Sequence, residues 1–233
     1  MTQESRNYRN KESKLVRSFG RIKSRKLSDR KNYLLENLAP KYQIEHENDI
    51  KPSIKGKNIL EIGFGFGDFL FEKAKNNPND VFFGSEPHIN GVVNVLSKLD
   101  ENPLNNLKIS TTDVRILLEK FPNKFFDEVY ILFPDPWPKL KHFKRRLINI
   151  EFLDDILAIK VKNNAKLTIA TDHDLYKTWI LAEVLRCKSF NWPIKSSDDW
   201  KIFPKDWIET KYQKKAIIEG RVPVIFKLDR VID

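Results

Sequence analysis

One cysteine, four histidines and no long apolar run set the first limits on this 233-residue sequence. A lone Cys187 excludes an intrachain disulfide and a metal site built from cysteine alone. It stands among apolar helix residues, where packing is its expected task. The histidines at 46, 88, 142 and 173 are scattered and form no ligand cluster. No apolar stretch approaches the roughly 20 residues of a membrane span. The N-terminus is charged from Glu4 onward and lacks the apolar centre of a signal peptide. A soluble, cytoplasmic protein without a metal is expected.

Positive charge is what the chain has in excess. The net charge is +10 and the pI about 9.5. Residues 1–31 hold eleven Lys/Arg against three Asp/Glu, so nearly all of the excess lies in the first stretch. A basic arm on a nearly neutral body points to nucleic acid or an anionic surface; a solvated tail is the plain alternative. With 40% apolar and 12% aromatic residues the rest is globular, and its length suits one well-cored domain. The expected division is a basic arm, 1–28, and a single domain, 29–233.

The spacing of Leu15, Phe19 and Ile22 permits a short amphipathic helix, and Asp29 to Leu38 reads as a helix capped by Asp29 and stopped by Pro40. From Asn58 the chain alternates strand and helix. Strands are expected at 59–62, 81–85, 107–110, 127–133 and 167–170, with helices at about 68–76, 89–99, 114–121, 147–161 and 175–185. The helix from Leu147 is expected to stop at Asn163-Asn164. Residues 190–206 read as a loop, and Ile208–Ala216 with Val222–Leu228 as an antiparallel pair. This alternation implies an α/β fold, a doubly wound and mostly parallel sheet covered on both faces. Ligands in such folds lie beyond the carboxyl ends of the strands. At those ends stand Glu61, Glu86, Asp113, Asp135 and Asp172. Five successive strands each deliver an acid to one edge.

Glu61-Ile-Gly63-Phe-Gly65-Phe-Gly67 is a strand-to-helix glycine turn with an acid before it. Glycines let backbone approach a ligand closely, and the acid disfavours a pyrophosphate while suiting an ammonium or sulfonium. Glu86, closing the second strand, is placed for ribose hydroxyls, as in both nicotinamide and S-adenosylmethionine sites. Asp113 suits either an adenine amino group or the N-cap of the next helix. Val129–Arg146 then joins a buried strand to the rigid turn Pro134-Asp135-Pro136-Trp137-Pro138, followed by Lys139, Lys141, His142, Lys144, Arg145 and Arg146. Trp137 is suited to stacking on a flipped base or to covering the core. The cations suit a polyanion, or are simply a solvated helix face.

Leu60–Gly67, Phe133–Lys139, Lys144-Arg145-Arg146, Ala170-Thr171-Asp172 and Thr210-Lys211-Tyr212 together resemble the bacterial tRNA (guanine-N7-)-methyltransferase family, over roughly residues 18–228. The resemblance implies a Rossmann-like class I methyltransferase with a seven-stranded sheet and a basic N-terminal extension. It also implies S-adenosylmethionine as methyl donor and N7 of a guanine in the tRNA variable loop, position forty-six in tRNA numbering, as acceptor. Glu61, Gly63, Gly65, Gly67, Glu86, Asp113 and Asp135 would then bind the cofactor, with Asp135 catalytic. Lys139, Asp172, Thr210, Lys211, Tyr212 and Gln213 would bind substrate, and Lys141, His142, Phe143, Lys144, Arg145 and Arg146 would contact RNA. A monomer or homodimer is expected. The sequence departs from the family pattern at Gln213, where glutamate is usual, at Pro87, and at Asn163-Asn164.

Three other readings share some of these features. A nicotinamide oxidoreductase prefers G-x-G-x-x-G, which Asp68 and Phe69 do not supply. A noncatalytic RNA-binding module leaves the edge acids unexplained. Methyltransferases of adenine-N6 or glutamine-N5 place Pro-Pro-Tyr or Pro-Pro-Phe where Trp137-Pro138 stands here.

Overall fold

The computed structural model describes residues 8–9, 15–16, 27–196 and 198–231. Two short strands, β1 (Tyr8–Arg9) and β2 (Leu15–Val16), pair antiparallel, so Leu15 does not open the expected helix; Phe19 and Ile22 lie outside the described residues. The helix from Asp29 also differs from expectation. α1 (Asp29–Tyr33) runs through a π-helical turn, Leu34–Leu38, into α2 (Ala39–Tyr42). Pro40 therefore does not stop the helix but sits in the first turn of α2, directly after the π-helical turn.

The body alternates β3 (Asn58–Ile62), α3 (Asp68–Asn76), β4 (Val81–Ser85), α4 (Ile89–Glu101), β5 (Leu107–Ser110), α5 (Val114–Leu117) and β6 (Phe126–Leu132). After a 3₁₀ segment, Leu140–Arg145, a π-helical stretch (Glu151–Leu157) continues into α6 (Ala158–Lys160) and straight into β7 (Val161–Thr171). The helix thus begins later than Leu147, where the Asn149 side chain accepts from the Phe152 amide. Asn163-Asn164 does not end it. These residues belong to β7, between the pairs Phe126–Val161 and Glu128–Lys166, where β7 carries three more residues than β6. Such a bulge interrupts the ladder locally and leaves them exposed.

α7 (Asp174–Arg186) leads to β8 (Phe190–Asn191), a short strand inside the expected loop. The expected strand at 208–216 is mostly helix instead, α8 (Lys211–Ile218). Thr210 caps it, its hydroxyl accepting from the Gln213 amide at 3.1 Å, and Gly220 in the left-handed region ends it. β9 (Val224–Arg230) then inserts antiparallel between β7 and β8. The seven-stranded order is β5-β4-β3-β6-β7-β9-β8, parallel through β7.

Alternation along the strands supplies two cores, one on each face. Leu60, Phe83, Val129, Ile131 and Leu167 pack under Leu117, Phe152, Tyr176 and Ile180. Ile59, Phe82, Leu107 and Ile109 pack under Leu70, Val92, Leu96 and the N-terminal Leu34 and Tyr42. With both faces sealed, the carboxyl edge of the parallel strands is the place left for a site.

Candidate active site

A cavity of about 950 Å³ opens at that edge. Gly63, Gly65, Glu86, Asp113, Asp135 and Tyr212 share its wall with Trp137. Three of the five edge acids therefore meet there.

The glycine turn is held in several ways. Gly65 has φ +53°, and a Cβ there would stand 2.9 Å from the Tyr212 ring. The Gly65 amide donates to one Glu86 oxygen and the His88 amide to the other, each at 2.8 Å. Burial pushes the Glu86 pKa up, and these two amides oppose the rise. Gly91 brings α4 against the turn: a Cβ there would lie 2.2 Å from the Gly65 carbonyl oxygen. Asn94, one turn further along α4, donates to the Phe66 carbonyl at 2.8 Å.

Glu61 lies beneath the turn, 2% exposed, with one carboxyl oxygen lacking a hydrogen-bond partner. Burial, with help from Glu86 and Asp68, raises its pKa to about 8, against a hydrogen bond from the Leu70 amide. With Gly67, Thr210, Lys211 and Tyr212 it lines a small recess behind the turn. Asp113 fulfils the N-cap role, accepting from the Arg115 amide at 3.0 Å, and also pairs with the Arg115 guanidinium at 2.8 Å while lining the cavity.

The turn after β6 is bracketed by two strained residues, Phe133 at φ +53° and Trp137 at φ +41°. Between them the Asp135 carboxylate faces the open cavity, and the surrounding walls raise its pKa by desolvation. Trp137 is half-buried, edge-on to His142, with the Arg145 guanidinium 4.9 Å from its ring centre. Lys144 and Arg145 reach the cavity wall, while Lys139 and Lys141 are exposed outside it. Phe143 packs edge-on against Trp179. Arg146 also borders the cavity but is only 2% exposed, with its guanidinium 3.7 Å from the Phe143 ring.

The remaining sequence candidates sit at the margin. Asp172 accepts from Arg221 at 2.6 Å outside the cavity. Lys211 lies 4.2 Å over the Phe66 ring. Gln213 is buried, its side-chain oxygen accepting from the Trp207 indole at 2.7 Å. Sequence reasoning missed Gly91, Asn94, Arg115 and Arg221. Of these only Arg115, two residues past an expected N-cap aspartate, carried a local signal.

Residues 55–224 match the model of a family described as "Putative methyltransferase". A tRNA (guanine-N(7)-)-methyltransferase of Hyphomonas neptunium is 36% identical over 207 residues, covering 87% of this chain and 94% of its own. One of Roseobacter denitrificans is also 36% identical, over 96% and 97%. A solved structure described as an antibiotic related methyltransferase superposes with a TM-score of 0.52 at 19% identity, over 91% of this chain and 98% of that one, which shows a common fold.

Proposed function

The chain belongs to the tRNA (guanine-N7-)-methyltransferase family, and from that we propose how its residues divide the work. It transfers a methyl group from S-adenosylmethionine to N7 of a guanine in tRNA. The guanine is the one at position forty-six, in the variable loop. Residues 29–233 form the catalytic domain of a cytoplasmic monomer or homodimer, and residues 1–28 add a basic arm for the tRNA backbone.

The cavity and the small recess behind its glycine turn suit this cofactor on three counts. The cavity's volume takes a nucleoside with an amino-acid tail as well as an incoming base. Its glycine turn leaves backbone open at Gly63, where a Cβ would meet nothing within 4 Å. Below the turn the unpartnered Glu61 oxygen offers an acceptor to a cation. Gly63, Gly65 and Gly67 form the cradle, with Glu61 beneath it. Glu86 takes the ribose hydroxyls on its remaining lone pairs, and Asp113 faces the adenine. When bound, S-adenosylmethionine supplies a methyl group activated by its sulfonium.

Guanine N7 carries an sp² lone pair and loses no proton on methylation, so a general base has no task. Asp135 is then the catalytic residue through orientation and charge. Its carboxylate fixes the guanine and stabilises the positive charge that develops on the ring. Trp137 and Arg145 form the platform against which the base lies, Lys144 neutralises the adjoining phosphate, and Lys139, Lys141 and His142 extend the track. Asp172 and Tyr212 close the acceptor side, with Thr210, Lys211 and Gln213 holding Tyr212 in place.

One observation carries this reading: Asp135, Glu86 and the glycine turn share a single cavity whose rim holds an aromatic plane and cations. The test is incubation with tRNA and labelled S-adenosylmethionine, then nucleoside analysis. Label in 7-methylguanosine at position forty-six is expected. Label on another atom or base, or none, overturns the assignment.

A further inference from the structure

Among the described residues, Arg146 is the one Lys or Arg that is fully buried. Three aromatic rings enclose its guanidinium: Phe143 at 3.7 Å, Trp179 at 4.7 Å and Tyr176 at 5.3 Å. Its Nε donates to the Pro136 carbonyl at 2.9 Å and its Nη2 to the Trp137 carbonyl at 3.4 Å. Among the described residues no carboxylate pairs with it.

Burying a cation is unfavourable, and an apolar side chain of similar volume would fill the same space at less cost. What a hydrocarbon could not do is satisfy two carbonyls at once. The Pro134–Pro138 segment belongs to no strand, and its three prolines remove three backbone donors. Trp137, moreover, is held at a positive φ that a tryptophan adopts only under constraint. At the upstream end the Phe133 amide donates to the Ala170 carbonyl at 2.8 Å, tying the turn to β7. At the downstream end the corresponding tie is the Arg146 fork. The rings are themselves fixed: Trp179 donates its indole N–H to the Ile148 carbonyl at 2.7 Å, and Phe143 packs edge-on against Trp179.

We propose that Arg146 is a positioning residue for methyl transfer: its caged guanidinium clamps the Pro136 and Trp137 carbonyls and so sets where Asp135 and Trp137 stand in the cavity. This rests on the functional reading above and moves Arg146 from the RNA-contacting set to the frame of the site. The aromatic cage supports the cation in place of a carboxylate, which leaves Asp135 free for the acceptor.

The experiment compares wild type with Arg146→Met and Arg146→Lys in single-turnover methylation at saturating tRNA and cofactor. Cofactor and tRNA affinities and thermal melts are measured on the same preparations. A displaced reacting group costs about 10²-fold in rate. Arg146→Met is expected to lose rate on that order with both affinities within about 3-fold of wild type, well short of the tenfold that 1.4 kcal/mol represents. Arg146→Lys, which keeps the charge but not the fork, is expected to lose less. A fall in tRNA affinity with a smaller salt slope would make Arg146 an RNA contact and overturn the proposal. So would an unchanged rate at temperatures where the variants are folded, or the loss of a cooperative melt in both variants, which would make it a core residue only. Wild-type production of 7-methylguanosine is the separate control: its failure removes the functional reading, whereas its success beside fully active variants removes only the clamp.

Discussion

Glu61 and Asp135 are both carboxyls whose surroundings disfavour charge, yet they predict different experiments. Glu61 is sealed beneath the glycine turn, and its pKa of about 8 means that the folded chain keeps a proton which the unfolded chain releases near 4.5. Its contribution is therefore whole below the unfolded value and is lost as pH rises toward 8. Glu61→Gln should melt with the wild type near about pH 5 and above it near about pH 8; parallel melting curves across that range would contradict the assignment. Asp135 faces the cavity, and desolvation raises its pKa from the ordinary aspartate range. If its charge is what matters, the single-turnover rate falls as pH drops through that raised value, because protonation removes the charge. Asp135→Asn should lower the rate about 10²-fold and abolish this acid limb. Retention of the full rate would exclude the catalytic role.

Two helices place the cavity's walls, and each rests on one contact that can be altered alone. Gly91 allows α4 to touch the Gly65 carbonyl. Gly91→Ala introduces an overpacked Cβ, which typically costs about 1–3 kcal/mol. Because the contact falls on the glycine turn, cofactor affinity is expected to drop about 10-fold while calorimetry still shows a cooperative fold. Thr210→Ala removes the cap of α8 and should cost about 1 kcal/mol in denaturant unfolding. It should also raise the KM for cofactor, since Tyr212 rides on that first turn. An unchanged KM would detach Tyr212 from the site. These elements also show what can be read from a sequence. β3 to β6 and α4 were legible because strands buried on both faces read as short, nearly continuous apolar runs, while the helix between them shows a 3.6-residue period. α8 was mistaken for a strand because most of it fell within the run Ile208–Ala216, which was paired with Val222–Leu228 across Glu219-Gly220. The signal was nevertheless present: Thr210 followed three residues later by Gln213 is the capping-box spacing. The inward turn of Arg146 was not legible, since Phe143, Tyr176 and Trp179 come together only in the folded chain and a run of cations ordinarily faces water.

For the whole molecule the charge distribution predicts a measurable salt dependence. Most of the net positive charge lies in the first 31 residues, and a second group lies at 139–145. The tRNA affinity should fall steeply on a log–log plot against salt. Deletion of residues 1–28 should flatten that slope, and Lys139→Ala with Lys141→Ala should flatten it by about one unit for each phosphate left without its lysine. A slope indifferent to the deletion would separate the arm from the tRNA interface. β9 carries a further consequence, in the order of events on the ribosome. It completes the sheet by sliding between β7 and β8, both made before it. Until residues 224–230 emerge, β7 has an unpaired edge, and α8, which brings Tyr212 to the cavity, has no strand behind it to anchor its far end. The half containing the glycine turn is synthesised early, but a chain stalled before Val224 is an open-edged intermediate that invites association rather than a smaller enzyme.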